Sequence, residues 1–342
     1  MTRHRVLNTF RLLRDVIRIV CAGRAIVALA VAFLLLGPAT VAIRHATGAF
    51  DRALPTYFFD APTIPTLWEN HSSLHAGTSF LLAPASLAAF FQSGEGPADG
   101  TLRFNGLDQV YRILVALLML LIGANVLPQN EAVYASLFTV PARKAAHYLL
   151  HAAALAVLVF VLLGAAFLVN AGVVRAIHGP QAGPMRLLFD YHVLLALYGA
   201  AFAGLGLFLA AAVRRRPTAL MIGVATALLL IAVAPQAYYT SALAYRDRHA
   251  QELSIARDLG EVPGDAWYRV NDLLSLTPAA VYTQSTLNLL YIARYGDTSC
   301  ASCGPSSRQR AIDRGRIALA ATAAGFLVLG GIAFQRRNGR ST

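Results

Sequence analysis

Few residues of this chain are spaced for chemistry. Cys300 and Cys303 bracket Ala301 and Ser302. Two thiols at this spacing can close a local disulfide, act as a redox dithiol or supply half of a zinc site. A redox dithiol needs a thioredoxin-like fold around it, and zinc needs two further ligands. Neither pattern flanks the pair, so a disulfide between Cys300 and Cys303 is the expectation. Cys21 stands alone and reads as packing. His71 and His75 lie four apart and would share a helix face, but only Glu69 stands near them as a further ligand. His147 and His151 repeat that spacing at the start of a long apolar run, where polar side chains facing lipid headgroups are the simpler reading. The chain holds four methionines, too few to line a copper route. No metal site is assigned.

Nucleotide and hydrolase signatures are missing too. The chain contains no G-x-x-x-x-G-K-[ST], no G-x-S-x-G and no H-E-x-x-H. It is not expected to be an enzyme and needs no cofactor of its own. Any energy it uses must come from a partner or an ion gradient. Ion-coupled transporters keep acids within the membrane for relay. Here no Asp or Glu lies deep in an apolar run, and Asp190 sits at an edge.

The elements that must position these residues follow from composition. Hydrophobic residues make up 57% of the chain and charged ones 13%, with a mean hydropathy of +0.55. Soluble domains carry about twice that share of charge. A surface this poor in polar groups faces lipid. Six runs are apolar enough to span: Ala25–Ile43, Tyr111–Leu127, Ala145–Val174, Tyr191–Val213, Pro217–Pro235 and Ile317–Phe334. Helices are expected throughout, because an open sheet edge cannot satisfy its backbone in lipid. The fold class is thus an all-α integral membrane protein with six transmembrane helices. Gly37-Pro38 predicts a kink or an early stop in the first. No A-x-A-like site follows that run, so it is expected to remain as an anchor rather than be cleaved as a signal peptide.

Charge sets the expected orientation. With both termini in the cytoplasm, the cytoplasmic segments hold fourteen basic residues and, as acids, only Asp15 and Glu131; the excess equals the formal net charge of +12. This is the positive-inside pattern. The basicity then reflects topology and anionic lipid headgroups, and no nucleic-acid partner is expected. Lys144 is the single lysine, which a GC-rich coding genome explains.

Residues 1–24 read as an interfacial elbow helix. Val6, Phe10, Leu13, Ile17 and Val20 share one face, and Arg3, Arg11, Arg14 and Arg18 line its flank. The cytoplasmic links are short. Two outer loops, residues 45–110 and 236–316, are long enough to be structured. In the second, Thr277-Pro278 marks a helix start.

Several segments resemble the ABC-2 type transporter permeases. Glu131, then Leu137-Phe138-Thr139-Val140-Pro141-Ala142-Arg143-Lys144, is similar to that family's E-x-G-T-L…L-L-S-x-P-[VI]-S-R element, though the Gly-Thr pair has no counterpart here. Leu149-Leu150-His151 falls where the family reads L-L-G-K. Gly204-Leu205 through Ala212-Val213-Arg214-Arg215-Arg216-Pro217-Thr218-Ala219-Leu220 is similar to its link between spans four and five. Leu276-Thr277-Pro278-Ala279 resembles its L-S-P element, and Leu13-Arg14 to Arg24-Ala25 its elbow.

The resemblance implies one permease domain over residues 1–342 in a bacterial cytoplasmic (inner) membrane. It implies dimerisation with a second copy or a homologous permease. A separate ATP-binding cassette ATPase would carry the ATP and Mg. Glu131, Pro141, Arg143 and Lys144 would couple the permease to that ATPase. The segment from Gln129 to Lys144 would form a short docking helix, with Glu131 at its start and Arg143 and Lys144 at its end. Pro141 would end that helix or set the angle into the third span. The alternative reading is a membrane scaffold or assembly factor that acts through its outer loops and transports nothing.

The orientation is testable. In a chain cleared of its own three cysteines, Cys substituted at Ser136 or Arg215 should label only from the cytoplasm. Cys at Ser93 or Ser306 should label only from outside, and cytoplasmic labelling of Ser93 would reverse the topology.

Overall fold

The described residues of the six apolar runs are almost wholly helical. In the computed structural model, which describes residues 23–46, 107–127, 141–178, 185–213, 215–233, 277–295 and 307–339, the described residues form seven helices and no strand. They are α1 (Arg24–Ala46), α2 (Leu107–Val126), α3 (Pro141–His178), α4 (Met185–Ala212), α5 (Arg216–Leu228), α6 (Pro278–Tyr295) and α7 (Ser307–Gly339). A π-turn, Leu229–Val233, continues α5. Three helices carry segments long and apolar enough to cross a membrane: Ala145–Val173 of α3, Leu188–Ala212 of α4 and Gln309–Arg336 of α7. Shorter apolar stretches occupy Ile26–Ala39, Tyr111–Val126 and Arg216–Ile231. This is consistent with a membrane protein.

The chain divides into two compact units. The first contains α1 to Val41, α2 from Tyr111, α3, α4, α5 to Ala227, and α7 from Leu319. The second contains the remaining ends of those helices, the π-turn and α6.

In the first unit α4 is the core helix. Within its apolar window 72% of the residues are buried, against 33% for α3 and 22% for α7. The outer helices turn large apolar side chains outward, among them Leu149, Phe160, Val161 and Leu168 on α3, Met221 on α5, and Ile317 and Val328 on α7. In water such faces would be association patches; in hydrocarbon they are already solvated.

Glycine lets α2 and α4 meet backbone to backbone. A Cβ built on Gly123 would overlap the Ala203 carbonyl, and one built on Gly206 would overlap the Leu120 carbonyl. The contact is reciprocal, each helix giving its glycine to the other's carbonyl. Gly199 lies against Met119 and Val115, so the two helices run the same way. α3 runs opposite to α4: Asn170 meets His192, Phe167 meets Phe189, and Leu163 meets Gly199. α7 lies along α4 through Gly204 against Ala323 and Phe326, and through the stacked Phe208–Phe326 pair. The Tyr148 hydroxyl, near the start of α3, donates to the Leu327 carbonyl of α7 at 2.6 Å.

In the second unit α6 packs against the π-turn. Its start is capped as Thr277-Pro278 predicts. The Ala280 N–H donates to Thr277 Oγ1 at 3.4 Å, and proline opens the helix, where no donor is needed. Along α6 the buried Ser285 and Thr286 hydroxyls donate back to the Val281 and Tyr282 carbonyls at 2.8 and 3.1 Å.

Two expectations change. Gly37-Pro38 does not stop α1, which continues to Ala46 with Pro38 inside it. Pro141, expected to end a docking helix or set the angle into the third span, is the first residue of α3. Proline is tolerated there because the first turn's N–H groups have no intrahelical acceptor. Arg143 and Lys144 therefore fall in the first turn of a helix and not in the last turn of one. The elbow at residues 1–22, most of both outer loops, and residues 128–140 lie outside the described residues.

Gly206→Leu should separate α2 from α4 and lower stability by about 1–3 kcal/mol or more. Gly325→Leu, at a position with open space around it, should change stability by less than about 0.5 kcal/mol. Thermal unfolding in detergent, followed by size-exclusion, reads both. Equal melting of the two variants would remove the glycine contact as a determinant.

Candidate functional site

Three helices of the first unit bring polar side chains to one end of the bundle, and a fourth, α1, packs beside them. They meet where α1 and α3 approach their C-termini and α2 and α4 begin. α3 contributes Asn170, α2 Tyr111 and Arg112, and α4 His192, all at most 4% exposed. α1 contributes no polar group but the space beside Gly37.

Asn170 is the hub. Its Nδ2 donates to the Tyr111 hydroxyl and to His192 Nε2, both at 3.1 Å. His192 Nδ1–H donates to the Leu188 carbonyl at 2.8 Å, one helical turn back. That bond places the ring proton on Nδ1 and leaves Nε2 as the acceptor Asn170 requires. The Asn170 oxygen faces Gly37: a Cβ there would overlap Asn170 Oδ1 and fall 2.5 Å from the Tyr111 hydroxyl. Only a glycine lets α1 approach this amide. A weak Cα–H contact to Oδ1 is the interaction available at that spot.

Aromatic rings close the site. Phe167 and Tyr191 meet His192 edge-on at 5.5 and 5.3 Å, and Phe33 of α1 meets Tyr111 at 4.9 Å. Arg112, next to Tyr111 along the chain, is 1% exposed and is the largest fully buried side chain. An amide, a phenol, an imidazole and a guanidinium thus share a low-dielectric end of the bundle, where each hydrogen bond is electrostatically stronger than in water. This arrangement can join four helices and fix their register. Among the described residues no three His, Cys, Asp or Glu side chains gather to hold a metal.

The opposite end holds some of the residues singled out by sequence. Pro141, Arg143 and Lys144 form the first turn of α3. His147 and His151 follow with rings 4.4 Å apart, and His151 Nδ1 bonds the His147 carbonyl at 2.9 Å. His151 is buried, so it does not face headgroups as the spacing suggested. Tyr148 packs on Gly330, Gly331 and Phe334 of α7. Helix direction places the end of α4 and the basic end of α7, with Arg336, at this same end of the bundle. Asp190 is half-buried in α4 and pairs with the exposed Arg186 at 3.9 Å, a contact of little energetic weight. Glu131, Cys300, Cys303, His71, His75 and Cys21 lie outside the described residues.

The Asn170 cluster was not singled out by sequence reasoning, although a signal existed. Asn170 and His192 interrupt otherwise apolar runs, and polar side chains inside a membrane segment tend to bond across helices. Comparison with family models, with curated proteins and with solved structures finds no match to this chain.

Asn170→Leu should cost about 1 kcal/mol of stability, the scale of interhelical hydrogen bonds in membranes. The informative measurement is a double-mutant cycle with His192→Phe, for which a coupling of about 0.5 kcal/mol or more is expected. Strict additivity would show that the two side chains are not energetically linked.

Proposed function

We propose that this chain is the membrane subunit of an ATP-binding cassette exporter of the ABC-2 type. It would sit in a bacterial cytoplasmic membrane and move a substrate outward with a separate ATPase. A second permease, the same chain or a relative, would complete the complex. The order of the Glu131, Pro141-Ala-Arg143-Lys144, Arg214–Leu220 and Leu276-Thr277-Pro278 elements is the sequence basis of this reading.

The observation that carries it is the length of α3. At 1.5 Å per residue its 38 residues reach roughly 57 Å. The hydrocarbon core is about 30 Å thick. One unbroken helix therefore runs from the basic turn Pro141–Lys144 past the Tyr148–Leu327 contact to Asn170 and beyond. A push on the basic turn is delivered to the polar cluster without a flexible joint between them. This geometry suits a coupling element that must transmit the closure of a partner ATPase with little slack. In this reading Glu131, Pro141, Arg143 and Lys144 meet the ATPase, and the outward apolar faces meet lipid or the second permease.

Affinity purification from membranes should bring down an ATPase subunit. Glu131→Lys and Pro141→Leu should leave the protein inserted and abundant but reduce ATPase binding or substrate-stimulated hydrolysis at matched permease levels. Wild-type coupling in both variants would remove the segment from the mechanism. Purification without any ATPase would favour the scaffold reading.

A further inference from the structure

Within the first unit, α3 and α7 are tied together close to their basic ends. Tyr148 of α3 is 5% exposed. Its hydroxyl donates to the Leu327 carbonyl at 2.6 Å, and its ring meets Phe334 at 5.7 Å. Between those two residues α7 carries Gly330 and Gly331. A Cβ on Gly330 would overlap the Tyr148 hydroxyl, and one on Gly331 would stand 3.3 Å from ring atom Cε1. The tyrosine thus lies in a notch that two glycines leave open. The Gly330 Cβ would also come within 3.3 Å of Phe208 Cα, so α4 stands against the same glycine.

This contact fixes the level of one helix against the other. α3 runs opposite to α4 and α7 runs with it, so α3 and α7 are antiparallel. From Tyr148 back to Lys144 the rise is about 6 Å, and from Gly330 forward to Phe334 it is the same. Arg336 follows Phe334 within the same turn. The first turn of α3, with Arg143 and Lys144, and the exposed Arg336 therefore stand at one level. α4 reaches that level as well, because its last residue, Ala212, is one turn beyond Phe208. Arg215 and Arg216, both exposed, follow where α5 begins. Among the described residues this end of the bundle holds no Asp or Glu.

A single basic turn is a small target. Two basic helix ends held at one level present positive charge at a fixed spacing, and complementary charge at fixed spacing sets the register of a partner.

We infer that Arg336 belongs to the same docking surface as the first turn of α3, that this surface takes an acidic face of the partner ATPase, and that Tyr148 is the positioning residue that sets the spacing between its two halves. The inference rests on the transport reading above and adds to it a second contact element, from the far end of the chain. It also gives Gly330 its reason: any larger residue there would push the Tyr148 hydroxyl off the Leu327 carbonyl.

The affinity of the ATPase for the full-length chain in lipid nanodiscs tests this, measured at low and at high salt. Arg336→Gln should weaken binding about fivefold at low salt and much less at high salt, because exposed charges are screened. Arg175→Gln, exposed on α3 beyond Asn170 at the opposite end, should leave binding unchanged. Tyr148→Phe keeps the ring in the notch and removes only the hydroxyl. It should weaken binding about threefold, and Arg336→Gln should then cost less in that background than in the wild-type chain. Gly330→Ala, which displaces the hydroxyl from the other helix, should give the same pattern. If Tyr148→Phe and Gly330→Ala lower the melting temperature but leave ATPase affinity and the effect of Arg336→Gln untouched, Tyr148 only packs and the positioning role is overturned. Wild-type affinity in Arg336→Gln would overturn the shared surface while the transport reading stands. A wild-type chain that binds no ATPase would overturn both.

Discussion

The contact on which the bundle depends is the one between the backbones of α2 and α4. Lipid tails are as apolar as leucine, so apolar burial alone does not hold helices together in a membrane. Close packing must do it, and packing strengthens as backbones approach. Gly123 against the Ala203 carbonyl and Gly206 against the Leu120 carbonyl bring these two helices closer than any side chain at those positions would allow. Once α4 is fixed by α2, it becomes the post on which the others lean. α3 turns back along it, α7 lies beside it, and the Asn170 cluster gathers at its first turns.

The two ends of the bundle differ in chemistry because the helices differ in what they bring there. One end unites an amide, a phenol, an imidazole and a guanidinium, all buried. The other holds the first turn of α3, which contains Arg143 and Lys144, and the Arg336 end of α7. α3 alone reaches both, from Pro141 to Asn170, and nothing interrupts its helix between them. Its length is what joins a basic first turn to a buried hydrogen-bond hub.

Sequence made the helices legible and left their meeting points hidden. The six runs were visible because hydropathy is a local property, and Thr277-Pro278 was visible because a cap is made within one turn. Ends were less visible. α7 begins at Ser307, ten residues before the apolar run at Ile317, because a helix continues into polar sequence as readily as it crosses lipid. At Pro141 the same residue can close one helix or open the next, and spacing alone does not choose. The Asn170 cluster joins residues far apart along the chain, and the glycines at 37, 123 and 206 gain meaning only from what stands opposite them.

Synthesis order gives the cluster a further consequence. Arg112 and Tyr111 leave the ribosome before Asn170, and Asn170 before His192. α2 therefore reaches the insertion machinery before Asn170, the partner of its Tyr111 hydroxyl, exists, and an unsatisfied polar group in hydrocarbon is expensive. α4, apolar over nearly its whole length yet finally enclosed, can wait in lipid without such a cost. Biogenesis of this protein should thus be governed by its second helix, which must linger at the translocon or the membrane surface until α3 and α4 arrive to receive it.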